Sequence, residues 1–218
     1  MNNNVISLLV LAGIAIFLIL RLKSVLGTRE GFEKPPVPAP LPSSRKGKFE
    51  VIEGGPDLDI TDHVPEGSDE ARALAAMKQA EPSFSVTEFL SGARGAYEMI
   101  LMAFEKGELA SVQPFMSAEV YETLEEVVAA RKARGLTVTA EFMGIREVTL
   151  HDAEFDRKTS EGEVSVRFAS ELISAARNAA GEVVEGNPNE VRRQRDVWTF
   201  ARKMGSDDPN WQLVATGE

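Results

Sequence analysis

Asp196 and Trp198 sit two residues apart in the alternating run RRQRDVWTFARK, so on a strand both side chains face one side. A carboxylate on an aromatic wall, facing Tyr97 or Tyr121, has the parts of a steroid-isomerase-like proton transfer: a base and an oxyanion donor. No motif enforces that pairing. The strand aromatics Phe142, Phe168, Trp198 and Phe200, with Tyr97 from a helix, are candidates to line an apolar pocket; core packing is the default for aromatics at regular spacing. Glu119, Glu122 and Glu126 share one side of a helix, with Glu125 beside them. Without a partner ligand set they read as a solvated face rather than a metal clamp. Asp207, Asp208 and Asn210 surround Pro209 and carry turn chemistry. Arg192, Arg193 and Arg195 form a dense basic cluster, suited to docking an acidic partner segment or lipid phosphates. Protection of an edge strand is an equal reading. His151 opens HDAEFDR, which reads as a loop, and is taken as a surface residue.

Composition narrows the chemistry. The 218 residues include no cysteine and two histidines, His63 and His151, with 24 Lys and Arg against 34 Asp and Glu, a net charge of −10. Disulfides, thiolate zinc sites, cysteine nucleophiles and histidine-rich metal clusters are excluded. No cofactor motif is present. The acidic balance opposes nucleic-acid binding, which requires a basic face to displace counterions.

The N-terminal run VISLLVLAGIAIFLIL, Val5 to Leu20, contains no charge over 16 residues. Val5, Ile6, Leu8, Leu9, Leu11, Ile14, Ile16, Phe17, Leu18 and Leu20 supply its bulk. Continued to Leu26 it would measure about 33 Å as a helix, enough to cross a bilayer, with Arg21 and Lys23 reaching the headgroups. Asn2 to Asn4 precede it and no small-x-small site follows, so an anchor is expected rather than a cleaved signal peptide. Arg21, Lys23 and Arg29 after the run place the C-terminal bulk in the cytoplasm.

Four regions follow from these patterns. Residues 1–33 are anchor and juxtamembrane segment. Residues 34–68 hold seven of the 11 prolines and read as an acidic tether, polyproline from Pro35 to Pro42 and flexible coil beyond, with a root-mean-square span of roughly 35 Å. Residues 69–82 form a short helix with Ser68 as N-cap. Residues 83–218 form an α+β domain. There Ser85 and Glu88 make a capping box with Phe84 before it as a staple residue, and Phe89, Ala93, Ala96, Tyr97, Ile100 and Phe104 line one helical face up to Gly107. A further helix starts at Ser117, turns Val120, Tyr121, Leu124, Val127 and Val128 inward and ends before Gly135. Beyond it the period becomes two, giving four strands, TVTAEFMGIREVTL, EVSVRFASELISAARN, VRRQRDVWTFARKM and WQLVATG, with AAGEVVEGNPN and GSDDPN as turns. A bend at or near Gly144 would let the sheet wrap the helices.

Several linked passages resemble one family: FSVTEFLSGARGAYEMILMAFEKGEL, PFMSAEVYETL, FMGIREVTL, VSVRFASELIS, DVWTFAR and SDDPNWQLVAT, in order over about residues 84–217. It is the family of the peripheral scaffold subunit of the mitochondrial inner-membrane presequence translocase, the forty-four-kilodalton Tim subunit, and its bacterial relatives. The resemblance implies a cone-shaped fold of the nuclear-transport-factor-2 or cystatin type, with a curved sheet around helices. It also implies a non-catalytic role, since the mitochondrial scaffold docks a seventy-kilodalton heat-shock chaperone beside the import channel. With an apolar run instead of an Arg-rich transit peptide, the chain resembles a bacterial member, single-pass in the inner membrane. The expected function is a membrane-tethered adaptor in protein transport, with a membrane or chaperone protein as partner. The alternative is a lipid-binding, small-ligand or isomerase-like pocket on the same fold.

Overall fold

Three serines start three helices. In the computed structural model, which describes residues 55–217, Ser68, Ser85 and Ser117 each accept a backbone N–H from three residues ahead, those of Ala71, Glu88 and Val120. Each satisfies one of the donors a helix start leaves unpaired. The helices are α2 (Asp69–Ala80), α3 (Val86–Lys106) and α4 (Ala118–Ala133). Gly107 ends α3 at φ 70 and Gly135 follows α4 at φ 68, left-handed positions that suit glycine.

An earlier helix, α1 (Leu58–Thr61), corrects the expectation of coil up to Ser68: Ile60 and Val64 are buried. Its Asp59 reaches the start of α3, accepting from the backbone N–H of Val86 (2.8 Å) and Thr87 (2.9 Å) and from the Ser85 hydroxyl (3.1 Å). Lys78 pairs with it at 2.8 Å. Burial alone would raise the Asp59 carboxyl, but these donors outweigh it and hold it far below the usual carboxylate range.

The strands are β1 (Thr137–Asp156), β2 (Glu161–Arg177), β3 (Val183–Gly186), β4 (Arg192–Lys203) and β5 (Gln212–Gly217). They form one antiparallel sheet ordered β1-β2-β4-β5, with β3 on β2. Register shifts at Phe142/Gly144, Ile145/Glu147 and Leu150/Asp152 are the bulges that bend so long a strand. β1 runs on through His151, which is therefore a strand residue on an exposed face, bonded to Arg167 (3.0 Å), and not part of a loop. β3 lies inside the stretch expected to be only a turn.

Helices pack on one face of the sheet. Leu74 and Met77 of α2, Val86, Tyr97 and Ile100 of α3, and Val164, Val166, Phe168, Phe200 and Leu213 of the strands are almost completely buried. In α4, Val120 and Val128 point inward, but Val127 is exposed at 40%, against expectation. Among the described residues no helix is long and apolar enough to cross a membrane. The run Val5–Leu20 and the proline-rich spacer lie outside the described residues.

Candidate functional site

Tyr97 sits at the centre of the packed core. Its ring stacks on Phe168, centroids 4.3 Å apart, and lies 4.6 Å from Trp198 and 6.5 Å from Phe142. Its hydroxyl donates to Asp196 Oδ2 at 2.5 Å, lies 2.8 Å from Ser170 Oγ and accepts from Gln194 Nε2 at 3.2 Å. Burial first, then the Asp196 carboxylate, push the phenol well above its ordinary range. Asp196 and Tyr97, the pair considered for isomerase chemistry, are thus in direct contact, leaving no space for a substrate between them. Tyr121 is elsewhere, within reach of Glu125. Tyr97 packs against Phe142, Phe168 and Trp198, and of the expected pocket aromatics Phe200 lines a groove.

That groove, of about 580 Å³, lies beside α3. One wall is the helix face Glu88, Ser91, Gly92, Gly95, Ala96 and Met99. Phe89 of the same helix and Phe84, Phe115, Phe200 and Trp211 complete the lining. A Cβ added at Gly92 or Gly95 would meet nothing within 4 Å, so no described element covers this turn of helix. Trp211 contacts Phe89 (4.6 Å between centroids) and Phe84 (5.8 Å) and forms the floor.

One charged pair closes an end of the groove. Arg202, its side chain 8% exposed, donates to Glu81 Oε2 at 2.5 Å and to the Pro209 carbonyl at 3.1 Å. Its guanidinium lies 5.3 Å from the Trp211 ring centre, and Nε has no partner among the described residues. Burial raises Glu81, yet the Gly205 N–H and Arg202 outweigh it and hold its carboxyl below the ordinary value. A groove of this size and lining takes an apolar segment or chain, with the pair marking where polar chemistry begins.

The arginine cluster lies along β4. Arg193 and Arg195 alternate with Gln194 and Asp196, so they face away from Tyr97. Arg193 donates to Glu171 Oε1 (3.2 Å), and Arg146 donates to Glu171 Oε2 (2.6 Å). These residues and Arg195 border a second cleft, of about 680 Å³. Arg192 is exposed at the start of the strand. Among the described residues no three carboxylates or histidines are placed to hold a metal ion, Glu119, Glu122, Glu125 and Glu126 included.

The sequence model of the Tim44-like domain matches residues 70–218. This chain belongs to the Tim44-like domain family. It is 27% identical over 148 residues to the mitochondrial import inner membrane translocase subunit TIM44 of Homo sapiens, covering 66% of this chain and 32% of that protein. It is 20% identical over 162 residues to TIM44-1 of Arabidopsis thaliana, covering 71% and 34%. The chain thus spans about a third of the length of these curated relatives. Among solved structures, the intermembrane space region of chloroplast protein ARC6 aligns with TM-score 0.40 and 9% identity, over 59% of this chain and 94% of that one.

In this Tim44-like domain the match starts within α2, whose Leu74 and Met77 enter the common core. The sequence marks Phe84 only as a staple residue, and nothing in its spacing marks Phe115, Arg202 or Trp211 as groove residues. The signal in the sequence is the pair Gly92 and Gly95 on the exposed side of α3, beside Ala96 at the edge of its apolar face. The meeting of Glu171 and Arg146 is not legible from spacing, because the bulge between Ile145 and Glu147 sets it.

Proposed function

We propose that this chain is a non-catalytic, membrane-held adaptor of protein-transport machinery, built on the cone-shaped plan of its family. Val5 to Leu26 anchor it in a bacterial inner membrane as a single span, the tether sets its reach, and the folded domain works on the cytoplasmic side. The partner is a membrane or chaperone protein that lays an apolar segment into the groove beside α3. The observation that carries this reading is the uncovered Gly92–Gly95 turn facing Trp211 and Phe115 across about 580 Å³. A membrane anchor and an apolar groove suit an attachment device, and Asp196 and Tyr97, the pair with the parts of a base and an oxyanion donor, are bonded to each other in the core. The same lining and volume also fit a small hydrophobic ligand.

Gly95→Leu tests the proposal. The new side chain enters open space and replaces a poor helix former, so stability should rise by about 0.5–1 kcal/mol. Partner recovered from detergent-solubilised membranes should fall at least severalfold. Unchanged recovery at unchanged or higher stability would contradict the proposal. Native mass spectrometry separates the ligand reading: it requires an adduct on the wild type that Gly95→Leu loses.

A further inference from the structure

On the face of β4 turned away from the helices, a carboxylate is already recognised. Glu171, 7% exposed, lies between the guanidinium groups of Arg146 and Arg193, and the Arg146 hydrogen bond, followed by that from Arg193, lowers its carboxyl. Arg195 borders the same cleft, and its side chain makes no hydrogen bond or ion pair among the described residues. Three cations against one carboxylate leave the cleft positive on a chain whose net charge is −10. The excess is local, so long-range attraction does not explain it.

The backbone there is also half used. β4 pairs with β2 from Arg192 to Lys203, but with β5 only from Val197 to Ala201. Among the described residues, Arg192 to Asp196 therefore have a ladder on one side only. Such an edge offers N–H and C=O groups to an added strand. Arg193 and Arg195 are two residues apart on one face, roughly 6.7 Å along the strand. That repeat matches alternate side chains of an extended peptide laid beside them.

We infer that the Arg192–Asp196 edge of β4 is a docking site for an extended acidic peptide of a partner protein, held by strand pairing and by its alternate carboxylates on Arg193 and Arg195. The site is separate from the groove beside α3, so either can fail without the other. Charge complementarity selects acidic side chains, and the free ladder selects a peptide over a phosphate or lipid headgroup, which has no backbone to pair.

The test uses the full chain in nonionic detergent and two labelled octapeptides, four repeats of Glu-Val and four of Glu-Pro. They carry equal charge, but proline removes the N–H groups a strand needs. Glu-Val should bind about tenfold more tightly than Glu-Pro, and Arg193→Gln with Arg195→Gln should weaken it about tenfold. Arg195→Gln alone leaves Glu171 fully paired and should still weaken it severalfold, which guards against misfolding of the double variant. Equal affinity for both peptides, unchanged binding by Arg195→Gln, or displacement by inorganic phosphate at matched ionic strength would each overturn the inference.

Discussion

Tyr97→Ala should lower the free energy of unfolding by about 3–5 kcal/mol, the usual cost of removing a buried aromatic ring. For a chain of this size that is a fall in Tm of roughly 6–20 °C. The ring is fully buried and contacts Phe142, Phe168 and Trp198, so its removal opens a void where helix and sheet meet. Tyr97→Phe keeps the ring and removes only the hydroxyl. It leaves Asp196, Ser170 and Gln194 without their shared partner and should cost about 1–3 kcal/mol.

The alkaline limb separates the two effects. The folded phenol titrates above the unfolded value of about 10, so its contribution is complete below that pH and is lost as pH rises through the folded value. The Phe variant should lack that limb. Denaturant titrations of wild type and both variants between neutral and alkaline pH would show this. A Tyr97→Phe protein as stable as wild type with an unchanged limb would refute the role given to the hydroxyl.

Glu81→Ala should cost about 3 kcal/mol, because it leaves Arg202 charged and nearly buried at the end of the groove. Combining it with Arg202→Met should recover most of that loss, since the orphaned charge, and not the missing attraction, causes it. In wild type the folded Glu81 carboxyl lies below its ordinary value. Its contribution is therefore complete above about pH 4.3 and is lost as pH falls below that towards the lowered folded value. Additive single and double losses, measured by denaturant midpoints, would remove the buried pair from the account.

The readable features are those with local causes. Ser68, Ser85 and Ser117 cap helices three residues ahead, Gly107 and Gly135 mark helix ends, and the long strands alternate in burial. Contacts across the chain were not readable. Asp59 serves α3 from 27 residues upstream of Val86, inside a proline-rich acidic stretch whose composition suggests coil. His151 reads as a loop residue because its neighbours are charged, yet pairing with β2 carries the strand past it. Val127 has helical spacing suited to the core but falls outside the stripe α4 buries. The groove is not legible in the sequence because Gly92 and Gly95 have the pattern of an ordinary solvated face, and Trp211, which lines the groove with them, lies more than 110 residues later.

A photoreactive residue in place of Met99, on the groove-facing side of α3 and 39% exposed, tests the central claim most directly. The full chain would be expressed in cells and its membranes washed with alkaline carbonate before irradiation. The adaptor account predicts that the protein stays with the washed membranes and forms a cross-link of discrete mass to a single protein, and that Gly95→Leu abolishes it. Release of the chain into the wash, or cross-links to lipid alone, would contradict it.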